Sequence, residues 1–279
     1  MSVLQHKIDF VALVRVENAN PNGDPLGENI PRTTMDGRGI MSQECIKRKI
    51  RNRMQDLGNQ IFVQSDDRIN DGFRSLSQRA STVLRGSKNT QEYTQKACET
   101  WLDVRSFGQV FAFKNSDDDS CHVQGPVTIH DALSITPVEV ESMKITKSTN
   151  GEDKASKASD TMGWRHFVWF GLYVIKGSIN VRVAEKTGLT DDDVQVIKEC
   201  LRTLFVNDAS AARPDGSMEV FKLFWWEHNC KDGQYSSYVV HNSVKVDLKP
   251  DVVFPSKMDD YDISVLPLDG LSVEEIKGV

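Results

Sequence analysis

Residues 45 to 53, Cys-Ile-Lys-Arg-Lys-Ile-Arg-Asn-Arg, carry five cations and no acid. The chain around them is acidic, with a net charge of -6 over 279 residues. Phosphate binding responds to local potential rather than net charge, so a dense cationic run can hold an anionic polymer on an acidic protein. The run falls in a predicted helix over 43 to 57. Ser42 suits the N-cap, Glu44 the positive end of the helix dipole, and Gly58 the residue just past the end. Ile46, Ile50, Met54 and Leu57 recur at helical spacing as a core stripe. Lys47, Arg48 and Arg51 then project from the other side, with Lys49 and Arg53 flanking. A solvated face is the plainer reading of a charge run, but such faces commonly mix Lys with Glu. Here like charges repel at helical spacing, which points to an anionic partner.

Two long loops could work beside this helix. One is the Asn-, Pro- and Gly-rich stretch 17 to 41, opening Glu17-Asn-Ala-Asn-Pro-Asn-Gly-Asp-Pro25. The other is 136 to 166, whose centre is polar and whose flanks carry Met143, Lys144, Lys147, Met162, Trp164 and Arg165. Loops this long inside compact domains tend to be functional or disordered. An arm with cations on its sides and an apolar wedge can grip a phosphate backbone and push between bases.

Residues 8 to 16 form a central strand, apolar on both faces and so covered on both. After the cationic helix, 58 to 108 is a polar insertion with one helix presenting Tyr93, Ala97, Trp101 and Val104. A short strand near 109 to 113 precedes the turn Asp117-Asp118-Asp119. Strands follow at 126 to 135, where Asp131 breaks the alternation, and at 167 to 183. Thr190 opens a helix to about 206 with Val194, Ile197, Leu201 and Leu204 inward, and 218 to 228 is a buried strand. Lys231-Asp232-Gly233 turns the chain back into 235 to 248, and 249 to 279 is an acidic tail expected to wrap the surface. Without insertions the order is strand, helix, strand, strand, helix, strand. That is the α+β, split βαβ or ferredoxin-like pattern, which RNA-recognition modules also use. Arg105-Ser106-Phe107-Gly108-Gln109-Val110-Phe111 departs from the stacking motif of those modules, so ordinary sheet-face stacking is not expected.

Other chemistry is sparse. Cys45, Cys98, Cys121, Cys200 and Cys230 are widely spaced with no Cys-x-x-Cys, which indicates neither a disulfide framework nor a zinc site. Six His residues show no pair at metal spacing. Asp191-Asp192-Asp193 follows Thr190 and suits a capping box. No nucleophile elbow, P-loop or dinucleotide fingerprint occurs. A hydrophobic share of 39% suffices for a core, no apolar run spans a membrane, and the N-terminus has no signal-peptide region. A cytoplasmic protein without cofactor or metal is therefore expected.

These residues resemble the CRISPR-associated "seven" family, in particular the type I-C Cascade backbone subunit. The match rests on Val16-Glu17-Asn18, Asn20-Pro21-Asn22-Gly23-Asp24-Pro25, Asn29-Ile30-Pro31-Arg32 and Lys47-Arg48-Lys49-Ile50-Arg51-Asn52. It continues through Asp103-Val104-Arg105-Ser106-Phe107-Gly108-Gln109-Val110-Phe111, Gly125-Pro126-Val127 and Gly171-Leu172-Tyr173, to about residue 248. The resemblance implies a modified RNA-recognition palm over 1 to 248, a helical insertion at 58 to 108, and a β-hairpin thumb at 136 to 166. It implies head-to-tail copies along one CRISPR RNA (crRNA), which is kinked by the thumbs and presented for pairing with target DNA. It also implies partners: further copies, a repeat-processing or handle-binding subunit, large and small subunits, and a recruited helicase-nuclease. By position, Ser42, Lys47, Arg48, Lys49 and Arg51 become phosphate contacts. Asn18, Asn20 and Asn22 can donate amide hydrogen bonds to phosphate or ribose, although Asn equally suits turns. Arg105 reaches phosphate or pairs with Asp103, and Met143 and Met162 are wedge candidates or core filler. An enzyme is the main alternative, because related type III backbones cut RNA with an Asp in the loop after the first strand, where Asp24 and Asp36 lie. The type I-C resemblance implies a non-catalytic subunit. A ferredoxin-like assembly protein without nucleic acid is the third reading, and the basic helix counts against it.

Overall fold

A computed structural model describes residues 2–112, 120–147 and 162–279. The acidic turn 117–119 and the centre of the second long loop lie outside the described residues. The chain begins with strand β1 (Ile8–Ala19), a two-residue ladder of β2 (Gly23–Asp24) with β3 (Ile30–Pro31), and β4 (Arg38–Met41). Helix α1 (Gln43–Asp56) follows, capped as expected by Ser42, whose hydroxyl accepts the Cys45 N–H. The insertion holds α2 (Leu76–Val83), α3 (Thr90–Thr100) and α4 (Leu102–Phe107). Next come β5 (Gly108–Phe111), β6 (Cys121–Gln124), β7 (Val127–Ile129), β8 (Ala132–Pro137), β9 (Val140–Thr146) and the long β10 (Met162–Ile179). The remainder is α5 (Val181–Thr187), α6 (Asp191–Arg202), β11 (Met218–Glu227), α7 (Ser237–Ser243), β12 (Val244–Leu248), β13 (Tyr261–Val265) and β14 (Glu274–Lys277).

The result is a mixed α+β architecture around one antiparallel sheet ordered β14-β11-β1-β10-β8-β4, with β7 and β9 also paired to β10. β1 lies centrally, bonded to β10 along one side and β11 along the other. Its alternate side chains serve two cores. Phe10, Ala12, Val14 and Val16 join Ile46, Ile50 and Met54 of α1 and Val194, Ile197 and Leu201 of α6. Val11 and Leu13 face Val240 of α7 and Tyr261 of the β12–β13 ladder. Cover on both faces explains why β1 reads as an unbroken apolar run. The insertion has its own core, with Phe62, Trp101 and Phe111 in ring contact.

Several expected boundaries move for identifiable reasons. The strand expected to reach 183 stops at Ile179, because Asn180 accepts the Val183 N–H and starts α5. The strand expected over 126 to 135 is two strands, since Asp131 turns away to accept the Gln43 N–H at the start of α1. The single helix expected through Tyr93 and Val104 breaks at Trp101, whose extended backbone separates α3 from α4. The return strand expected over 235 to 248 begins as α7, because the Ser236 hydroxyl accepts the Val239 N–H. The C-terminal segment does more than wrap the surface: β13 pairs with β12, and β14 covers the open edge of β11. An uncovered β11 would leave a row of unpaired backbone groups. The Arg105–Phe111 segment forms α4 and β5, and β5 pairs with β6 rather than with the main sheet.

Candidate nucleic-acid interface

The five cations of α1 do not share one fate. Lys49 is 4% exposed; its ammonium is ion-paired with Asp208, which also binds Arg213 at 3.2 Å. Arg53 is buried between Asp56 at 2.8 Å and the Thr203 hydroxyl at 3.1 Å. Arg51 bonds Asp103 at 2.9 Å, and that buried carboxylate also takes the N–H groups of Phe62 and Val63. The expectation of an acid-free cationic face is corrected accordingly: Asp56 of the same helix pairs with Arg53, and carboxylates 52 and 159 residues away pair with Arg51 and Lys49. Lys49 in particular is not presented for phosphate, because its charge is turned inward and neutralised. Arg105 is likewise paired, and with Asp193 rather than Asp103, through two bonds of 2.9 and 2.7 Å.

Two α1 cations form no ion pair among the described residues. Lys47 donates to Gln43 at 3.2 Å and lies 5.8 Å from the centre of the Phe107 ring. Arg48 donates to the Val63 carbonyl at 2.8 Å. Partial burial, reinforced by neighbouring Arg51, pushes the pKa of each below its ordinary value. An anion arriving here would relieve that cost.

The Asn-rich loop packs on the start of this helix. The Asn22 carbonyl-type side-chain oxygen accepts the Ser42 N–H at 2.9 Å. The Asn20 amide donates to the Asn29 carbonyl at 2.6 Å, and Asn20 is only 2% exposed. Its side-chain oxygen is buried with no hydrogen-bond partner among the described residues. Asn18 adopts φ 52°, and Glu28 and Asn29 are left-handed too. Asn tolerates that region better than most residues, which suits Asn18 and Asn29 to these positions. The Ser42 hydroxyl is engaged as the helix cap. Asp24 accepts from the Leu26 N–H and from Arg32, both at 3.2 Å, and Asp36 pairs with Arg38 at 3.0 Å. Both carboxylates organise local turns. Among the described residues no group of three or more His, Cys, Asp or Glu is placed to hold a metal.

The second loop is bounded by a hairpin in which β9 pairs with the first third of β10, Thr146 opposite Met162 through Val140 opposite Val168. Residues directly opposite share a face and alternate residues change face. One face therefore carries Met162, Trp164 and His166 with Lys144 and Ser142. The other carries Arg165 and Phe167 with Met143 and Ile145. The two candidate wedge methionines consequently point to opposite faces, each about half exposed at 50% and 51%. Trp164, 56% exposed, stacks on His166 with ring centres 6.3 Å apart, and His166 shares a 2.7 Å hydrogen bond with Ser142. Lys144 and Lys147 are exposed. Arg165 instead bends inward, donating to the Asn18 carbonyl at 3.1 Å and lying over Phe167. This contact joins the hairpin root to the Asn-rich loop, which sequence spacing of 147 residues conceals. Sequence reasoning also passed over half-exposed Trp169 and the Arg213 loop, where the Ala212 carbonyl accepts the Asn20 N–H at 2.9 Å. An Arg-Pro-Asp-Gly turn was the available signal for the latter.

The fold thus presents a half-buried cationic helix beside a turn-locked loop, with an exposed aromatic and cationic hairpin rooted in that loop. Such a surface suits an extended polyanion with stackable rings. The family model described as CRISPR-associated protein Cas7 matches residues 6–266. The chain belongs to that family. A relative from Haloferax volcanii, "CRISPR-associated protein Cas7", is 28% identical over 224 residues, covering 71% of this chain and 64% of the relative. The chain therefore matches less than two thirds of that relative's length. A solved chain from a "CRISPR RNA-guided surveillance complex, pre-nicking" is similar in fold, with TM-score 0.51, 16% identity, and coverage of 89% of this chain and 84% of that one. Another, from a "CRISPR RNA-guided surveillance complex", has TM-score 0.43 and 18% identity over 79% of this chain and 68% of that one, too distant to bear on the fold.

Proposed function

We propose that this chain is a repeated, non-catalytic backbone subunit of a type I-C CRISPR RNA-guided surveillance complex. Copies assemble head to tail on the crRNA, hold its phosphates, and kink it so that exposed bases pair with target DNA. The observation that carries this reading is the conjunction of Lys47 and Arg48, the two α1 cations without an ion pair among the described residues, with the hairpin bearing Met162, Trp164 and Lys144. The strand order β11-β1-β10-β8 supports a ferredoxin-like palm, and the β9–β10 hairpin is our thumb. Lys47, Arg48, Lys144 and Lys147 supply charge. Asn18, Asn20, Asn22, Ser42, Arg51 and Arg165 shape the surface. Asp24 holds a turn through Arg32 rather than a metal or a nucleophile. The complex acts in the cytoplasm with its other subunits.

The test is co-expression with a CRISPR RNA and the co-encoded subunits, followed by exposure of the purified complex to matching single-stranded DNA and RNA. Protection of RNA of defined length, with targets bound and uncut, supports the proposal. Cutting of target RNA at regular intervals, abolished by Asp24→Ala, would place the chain with the type III-like enzymes instead.

A further inference from the structure

A cleft of about 530 Å³ opens between the helical insertion and α5, lined by no residue of the candidate interface. Its lining comes from α3, β6 and the C-terminal end of α5. The Arg105 guanidinium binds Asp193 at the start of α6 and donates to the Cys98 carbonyl of α3 at 3.1 Å, tying the insertion to the main body. The volume falls in the range of specific binding clefts, roughly 300–1,000 Å³.

The lining mixes apolar surface with amide, hydroxyl and carboxylate groups. Thr187 is 6% exposed, and its hydroxyl is buried with no hydrogen-bond partner among the described residues. Gln91, Gln95 and Gln124 each offer an amide donor and acceptor, the complement of a peptide backbone. Gln95 donates to Glu99 at 2.9 Å and so orients that carboxylate. α5 ends at Gly188 on the cleft wall, where the last-turn carbonyls carry partial negative charge. Glu185 also lines the opening but is ion-paired with Lys231, and exposed Lys186 is the cation of the lining. Burial pushes the Cys98 thiol up to about 11, so it stays protonated and offers no thiolate nucleophile. Phosphate is disfavoured beside Glu99 and the helix carbonyls; a guanidinium or ammonium is favoured.

We propose that this cleft docks a polypeptide segment of a partner protein through an arginine or lysine side chain. The cation meets Glu99 and the carbonyl end of α5, and the segment's backbone meets the glutamine amides. This rests on the reading that the chain works inside a multi-subunit complex. The test places a photo-crosslinking residue at exposed Gln91 in the complex purified with its RNA and co-encoded subunits. The expected product is a crosslink to a peptide of another polypeptide containing Lys or Arg, with yield falling about tenfold when Glu99→Arg is added. Glu99 is exposed on α3, so this change spares the core. A crosslink to RNA, a crosslinked peptide without a cationic residue, insensitivity to Glu99→Arg, or no crosslink in an intact complex overturns the docking proposal alone. Failure to assemble any complex overturns the functional reading and the docking proposal together.

Discussion

Lys47 and Lys49 sit two residues apart on one helix and do opposite work. Lys49 is enclosed by Asp208 and Phe205, while Lys47 reaches no carboxylate among the described residues. Replacing Lys47 and Arg48 together with Ala should weaken RNA binding and reduce the slope of log affinity against log salt by about 1.4, as expected for two lost single-strand phosphate contacts. A filter-binding titration at several salt concentrations measures it, and an unchanged slope removes both residues from the interface. Lys49→Ala should leave that slope alone but cost up to about 3–5 kcal/mol of stability, because Asp208 loses its buried partner and keeps only Arg213. Urea unfolding reads that loss. Helical spacing made the cations legible; their partners arrive from Asp103 and Asp208, far along the chain, and no local pattern announces them.

At the scale of elements, α1 and α6 were readable because their caps and apolar stripes are local. The Thr190–Asp193 capping box forms as the sequence suggested. Strand ends were less legible, since an apolar run such as 167–183 has the same composition whether its last residues extend or, after Asn180, coil into α5. The hairpin shows what pairing adds: only the register reveals that Met143 and Met162 face opposite ways and that Trp164 shares a face with Met162. Among the described residues, none of 143–147 nor Met162 belongs to the cores. Replacing 143–162 by a short Gly-Ser turn should therefore preserve the melting transition while disrupting regular assembly on RNA. Electron microscopy of complexes formed by the shortened chain would decide it, with filaments of normal order arguing against the thumb assignment.

Across the whole molecule, a buried polar cluster ties β1 to β11 and α7. Burial pushes the Asp9 carboxyl up, but hydrogen bonds from His228, Ser237 and Lys7 outweigh it and hold it below its ordinary value. His241, on α7, donates to the Gly177 carbonyl, and burial lowers its pKa. The unfolded chain therefore takes up the His241 proton first. Its contribution to stability is present above about pH 6.5 and is lost as pH falls below it. Asp9, Asp56, Asp71 and Asp193, all lowered, add losses only as pH falls below about 4. The urea midpoint should fall between pH 7 and pH 5.5, and His241→Asn should shrink that difference even if it lowers both midpoints. The α+β class, the central strand, the two long helices and the concentration of positive charge are all legible locally, because capping, periodicity and local charge act over a few residues. Which cations remain available, which faces the hairpin presents, and that the C-terminal segment closes the sheet edge were decided only by tertiary structure. Ion pairs, strand register and edge pairing join residues that sequence distance separates, and their energies depend on burial that no local pattern encodes.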